Sequence, residues 1–141
     1  MRRIFPALGF LGLLALPACR ADPSDLQIAS VEQVAAWSAS GEELTFCDAN
    51  NPDTRGRYGV VPGAVLLTNY RDYNVAAELP SDPETTLVFY CHSETCGAAG
   101  DAARKAVVSG YRDVWVMAPG IKGWVEAGQP VAQASAAGVS S

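Results

Sequence analysis

The stretch Thr86-Leu87-Val88-Phe89-Tyr90-Cys91-His92-Ser93-Glu94-Thr95-Cys96-Gly97-Ala98 decides the fold. Thr86 to Tyr90 is a short, nearly unbroken apolar run set off by the Asp82-Pro83 turn, as suits a central parallel strand buried on both faces. The strand ends at Cys91. Thr95 or Cys96 is then expected to open an Ala-rich helix that runs to Ser109 and stops at Gly110, with Val114 to Met117 as the next buried strand. Gly97 and Gly100 fall within that helix, where each costs about 1 kcal/mol relative to Ala, so a close approach of helix to sheet is expected to compensate.

Upstream, Leu26 to Ile28 reads as a short strand. Ser30 and Gln33 form a capping box for an amphipathic helix that Gly41 ends, with Trp37 packed inward. Leu44 to Asp48 is a second strand, and Ala49 to Gly63 has the Asn, Pro, Asp and Gly density of a long surface loop. Ala64 to Leu67 is a third short strand, followed by an irregular segment. Strands alternating with helices predict an α/β fold with a parallel sheet covered on both faces. Ligands of such sheets sit beyond the carboxyl ends of the strands, where Asp48 and Cys91 fall.

A cysteine between a buried strand and a helix start lies where backbone N–H groups can converge on its sulfur. That arrangement predicts a thiol acidified from about 8.5 and nucleophilic at neutral pH. The plainer alternative is a small buried hydrophobe. Cys91-x4-Cys96 puts a second thiol at the rim of the same cradle, near enough for a disulfide if the Cα atoms come within about 7 Å. A Cys91–Cys96 bond is therefore expected at rest in oxidising surroundings. Capture of a metal by Cys91, Cys96 and His92 matches no standard zinc spacing, and neither metal nor cofactor is expected. Cys47, on a buried strand, reads as core.

Of 141 residues, 49% are hydrophobic and 18% charged, which excludes intrinsic disorder. Ten basic against 15 acidic residues, a charge of −5, give no cationic stripe for nucleic acid. Arg2 and Arg3 precede an uncharged apolar run from Ile4 to Leu16, which reads as an export signal too short to span a bilayer comfortably. The expected organisation is a leader over 1–18, a tether over 19–25, one domain over 26–131 and a disordered Ala/Ser/Gly/Val tail over 132–141.

Leu16-Pro17-Ala18-Cys19 resembles the lipobox of bacterial lipoproteins, which implies acylation of Cys19 and a membrane anchor. The alternative is cleavage after Ala21, which discards Cys19. Either way the domain is expected outside the cytoplasm, on the periplasmic face of a membrane or free in the periplasm.

Several separate stretches resemble the single-domain rhodanese family of sulfurtransferases. Phe46-Cys47-Asp48 is similar to the strand bearing that family's acidic residue, and Gly59-Val60-Val61-Pro62-Gly63-Ala64 to its glycine-x-isoleucine-proline-glycine-alanine signature. Phe89-Tyr90-Cys91 resembles the strand into the active cysteine. Gly110-Tyr111-Arg112-Asp113-Val114, Gly120-Ile121-Lys122-Gly123-Trp124 and Gly128-Gln129-Pro130-Val131 resemble the closing pattern in order and spacing. The resemblance implies a parallel sheet of about five strands and a catalytic Cys91 that accepts sulfane sulfur as a persulfide and passes it to a thiophilic acceptor. The partners implied are a small sulfur compound or a protein thiol, acting on a monomer.

The departures sharpen this reading. Active thiosulfate sulfurtransferases place arginine directly after the cysteine and at the sixth loop position, where this chain has His92 and Cys96; Ser93, Glu94, Thr95 and Gly97 complete the loop. A neutral or acidic mouth should bind doubly charged thiosulfate poorly. Related phosphatases carry arginine six places after the cysteine, which here is Gly97. His92, the one histidine, is either a pH-sensitive donor or an exposed loop residue. Arg55 and Arg57 are candidates to supply positive charge at the crevice, against solvent exposure or pairing with Asp53, and Asp48 is expected to hold the loop. Two other functions stay open: a periplasmic thiol–disulfide protein using Cys91 and Cys96, and a non-catalytic binding module.

Overall fold

The computed structural model describes residues 26–134. The leader, the Cys19 anchor, the tether and residues 135–141 lie outside them. Five parallel strands, β1 (Gln27–Ala29), β2 (Leu44–Asp48), β3 (Val65–Leu66), β4 (Thr86–Tyr90) and β5 (Val114–Met117), form one sheet in the order β1-β5-β4-β2-β3. The helices are α1 (Val31–Ala39), α2 (Pro52–Tyr58), α3 (Val75–Glu78), α4 (Ala98–Val108) and α5 (Gly120–Glu126). Among the described residues no helix is long and apolar enough to cross a membrane.

Strand β4 explains why its sequence shows no alternation. Leu87 and Phe89 enter a core with Ala99, Ala102, Ala103 and Ala106 of α4, while Val88 and Tyr90 enter the opposite core with Val34 of α1 and Ile121 and Trp124 of α5. Both faces are covered, so the four positions from Leu87 to Tyr90 are all hydrophobic and buried. The small side chains on the inner face of α4 let that helix lie close to the sheet, and a Cβ on Gly100 would stand 3.7 Å from Leu26. Gly97 does not share this role: it is the N-cap of α4, and a Cβ there would meet nothing within 4 Å.

Ser30 and Gln33 cap α1 reciprocally, and Trp37 packs edge-on against Trp115 with ring centroids 4.9 Å apart. Three expectations are corrected. Within the supposed loop of Ala49 to Gly63 lies α2, started by Asn51, whose side chain accepts from the Thr54 amide, with Pro52 in the first turn, where its missing N–H costs nothing. Helix α4 starts at Ala98 rather than Thr95 or Cys96, because those two residues are used in a turn closed from the Cys96 amide to the Ser93 carbonyl. Ala132 is not tail: it pairs with Val60 through two backbone hydrogen bonds of 2.9 and 2.8 Å.

Candidate active site

Strands β2 and β4 run side by side with Asp48 opposite Tyr90, so their carboxyl ends open at the same edge. Under β2 lies a buried polar network. Asp48 is fully buried; its Oδ1 accepts from the Asn50 amide at 2.7 Å and from Arg55 Nε at 3.1 Å, and its Oδ2 accepts from the Tyr90 hydroxyl at 2.7 Å. Arg55 Nη2 donates to the carbonyls of Asp48 and Leu67, and the Tyr90 hydroxyl accepts from the Val61 amide. Burial first, then the Asp48 charge, pushes the Tyr90 hydroxyl well above the ordinary phenol range. Arg55 therefore pairs with Asp48 rather than Asp53 and supplies no charge to the crevice. Arg57 is exposed, its guanidinium 5.9 Å from the Tyr58 ring centroid.

Beyond β4 the chain turns through Cys91 to Gly97 into α4. Cys91 is 2% exposed and its Sγ donates to the Cys96 carbonyl at 3.1 Å. The loop is clamped from below: the amides of Ile121 and Lys122 donate to the carbonyls of Cys91 and His92 at 2.8 and 3.0 Å. That approach requires Gly120, whose φ is +64° and whose Cβ, were it present, would stand 2.6 Å from the carbonyls of both residues. The glycine of the closing pattern is thus a contact of the cysteine loop.

Cys47, Cys91 and Cys96 are free thiols in the structure, so the expected Cys91–Cys96 disulfide is not formed in it. The acidified partner is also not the expected one. Burial, with the hydrogen bond to the Cys96 side chain, pushes the Cys91 thiol up to about 12 despite the amides of Ala99 and His92 on its sulfur. Cys96 is half-buried; burial raises it too, but the Cys91 thiol and the amides of His92 and Ala98 outweigh that and hold it below its ordinary value. The reason is depth: Cys91 lies deeper than Cys96, so burial opposes its charged form more strongly.

Residues 30–127 match the rhodanese-like domain family. The chain belongs to that family. Three solved structures share the fold at low identity. A polysulfide-sulfur transferase homodimer from Wolinella succinogenes is 19% identical over 82% of this chain and 84% of its own, with a TM-score of 0.66. The rhodanese-like domain of a protein from Anabaena sp. is 17% identical over 83% and 89%, with a TM-score of 0.63. A protein of unknown function from Rhodopseudomonas palustris, described as a possible tyrosine phosphatase, is 23% identical over 77% and 86%, also with a TM-score of 0.63. No curated protein matches the chain.

Two clefts flank the cysteine loop of this rhodanese-like domain. One, of about 380 Å³, is lined by Cys91, Glu94 and Cys96 with Ile28, Met117 and Arg104 among its walls. The other, of about 450 Å³, is lined by His92 and Cys96 with Asn50, Thr54, Tyr70 and Arg71. His92 is half-buried rather than freely exposed: its ring lies 5.0 Å from that of Tyr58, and its Nε2 is buried without a partner. Ser93 and Thr95 bond each other through their hydroxyls, 3.2 Å apart, while Gly97 leaves the phosphatase arginine position empty of side chain.

Sequence reasoning missed Tyr90, Asn50, Arg71 and Gly120. Tyr90 alone left a local signal, a hydroxyl inside a buried strand in register with Asp48. The cleft cations are Arg71, from the segment read as irregular, and Arg104 of α4, which lie 4.0 and 3.4 Å from Asp101. Among the described residues no three His, Cys, Asp or Glu side chains converge to hold a metal.

Proposed function

We propose that this rhodanese-like domain is a sulfurtransferase that carries sulfane sulfur as a persulfide on Cys91 and passes it to a thiophilic acceptor. Membership of the family supports a sulfurtransferase-like role at the level of the family. The observation that carries the finer reading is the Cys91 sulfur itself: it directly follows the central strand, is buried, and has the backbone amides of Ala99 and His92 placed so as to favour its charged form. A persulfide is an anion at neutral pH, and fixed amides stabilise an anion without side-chain help. Cys91 attacks the outer donor sulfur, its proton passes to the departing donor, and the donor leaves with the electron pair of the broken bond. An acceptor then attacks the same sulfur and returns Cys91.

Donor choice follows from charge. Glu94 is the one carboxylate of the loop, and the two cleft arginines, Arg71 and Arg104, are shared with Asp101, so neutral or singly charged persulfides and polysulfides are preferred over thiosulfate. Turnover with an organic persulfide as donor and a thiol as acceptor tests this: it is expected to vanish in Cys91→Ser and to fall sharply with thiosulfate in the wild type. Turnover surviving in Cys91→Ser would overturn the proposal.

A second reading, a thiol–disulfide couple with a partner's disulfide as oxidant, is favoured by two free thiols in one loop, with the Cys91 Sγ donating to the Cys96 carbonyl at 3.1 Å. Cys96→Ser separates the two readings, since sulfur loading on Cys91 survives it and disulfide exchange does not. We further propose that the domain acts as a monomer outside the cytoplasm, held to a bacterial membrane by lipid on Cys19. Cys19→Ala should release it, and a mature protein beginning at Asp22 would contradict the anchor.

A further inference from the structure

Cys91 lines the cleft of Ile28 and Met117 but not the cleft of Asn50 and Arg71, whereas Cys96 lines both. The second cleft also holds polar groups with no other use. Asn50 is 8% exposed, yet its Nδ2 has no partner, and neither has the buried Nε2 of His92. Leaving such groups unpaired is costly, and a ligand carrying carbonyl or carboxylate oxygens would relieve it after a small side-chain movement. An acceptor seated there meets Cys96 first.

We infer that Cys96 is a relay: it takes the sulfane sulfur from Cys91 and hands it to a peptide-like thiol, one flanked by amide or carboxylate groups, bound in the polar cleft. The inference rests on the proposal that Cys91 carries a persulfide. The proton held by Cys96 first crosses to the outer sulfur, giving Cys91–S–SH and a Cys96 thiolate. Cys96 attacks that outer sulfur; a new S–S bond forms on Cys96, the bond to Cys91 breaks, and its electron pair stays on Cys91 as thiolate. The acceptor thiolate repeats the exchange at Cys96. No oxidant is consumed. Position gives the relay its direction: Cys96 lines both clefts, so sulfur passed to it from Cys91 reaches the polar one. Attack on the inner sulfur would instead give a Cys91–Cys96 disulfide and release sulfide.

The full protein is loaded with one equivalent of an organic persulfide, trapped by alkylation at successive times and cleaved after Glu94, which separates the two cysteines for mass spectrometry. The extra sulfur is expected on Cys91 first and on Cys96 later. In Cys96→Ser, and equally in Cys96→Ala, it should stay on Cys91, with transfer to a cysteine-containing peptide slowed about tenfold or more. In Cys91→Ser, Cys96 should stay unloaded. The relay is overturned by transfer at the wild-type rate in both Cys96 variants, by direct loading of Cys96 in Cys91→Ser, or by conversion of the loaded protein to a disulfide with sulfide release. An uncharged alkyl thiol of equal acidity accepting as fast as the peptide would overturn the polar cleft as acceptor site. Failure of the wild type to load Cys91 at all would overturn the persulfide reading beneath it.

Discussion

Strands β2 and β4 are hydrogen-bonded neighbours that end at the same edge, but the polar groups at their ends are treated in opposite ways. At the end of β2, the Asp48 carboxylate is satisfied by the Asn50 amide, Arg55 and Tyr90, and Arg55 also ties down two carbonyls. At the end of β4 the loop is held mainly through its backbone, by the amides of Ile121 and Lys122, while Cys91 and Cys96 stay free thiols and the His92 Nε2 is buried without a partner. Charge fully paired builds the frame, and reactive groups left unpaired in a fixed loop are what chemistry needs.

The contrast can be broken first at the frame. Arg55→Ala leaves Asp48 as an uncompensated buried charge and should cost about 3–5 kcal/mol in urea unfolding. Arg57→Ala, two residues away on an exposed face, should change stability by no more than about 0.5 kcal/mol. Equal losses in the two variants would show that the Asp48 network does not hold this edge.

Buried thiols give the next effect. Burial pushes Cys47 up to about 12, and Cys91 likewise, from an ordinary value of 9.0. Above that ordinary value the unfolded chain releases protons that the fold retains, so stability falls as pH rises from about 9 toward about 12. The loss from Cys47 should be about 2–4 kcal/mol across that window. Cys47→Ala should flatten the decline between about pH 9 and 10, before Tyr73 and Tyr90, also pushed up by burial, take over. An unchanged slope would place Cys47 nearer solvent than the core.

At the loop, Gly120→Ala forces a side chain into a left-handed position against the carbonyls of Cys91 and His92. The conformation alone costs about 1–2 kcal/mol, and sulfur loading should slow about tenfold beyond any loss of folded protein. Loading that merely follows the folded fraction would separate the α5 clamp from the chemistry. The smallest change is electrostatic: Cys96→Arg should raise loading of Cys91 from thiosulfate by up to about tenfold without helping a neutral donor. Equal gains for both donors would remove charge as the cause of selectivity.

What could be read before folding was what neighbours in sequence decide. The bounds of β2, β4 and β5, the Ser30–Gln33 cap and the position of Cys91 at a strand end all follow from local pattern. Helix α2 was hidden because Asn51, Pro52 and Asp53 serve equally as loop formers and as a helix start. Helix α3 is only four residues long, and α5 carries two glycines, Gly120 and Gly123, that mask its helical pattern. The partner of Arg55, the cleft around Asn50 and Arg71 and the inverted acidity of the two thiols depend on which segments the sheet brings together. No local pattern carries them.

The most direct test of the account is the intact mass of the protein after treatment with an organic persulfide and removal of the excess. A gain of one sulfur atom, lost on reduction and on addition of an acceptor thiol, is expected for the wild type and for Cys47→Ala and Cys96→Ser, and no gain for Cys91→Ser. The same gain in Cys91→Ser, or none in the wild type, would contradict the claim that the sealed thiol at the end of β4 is the sulfur carrier.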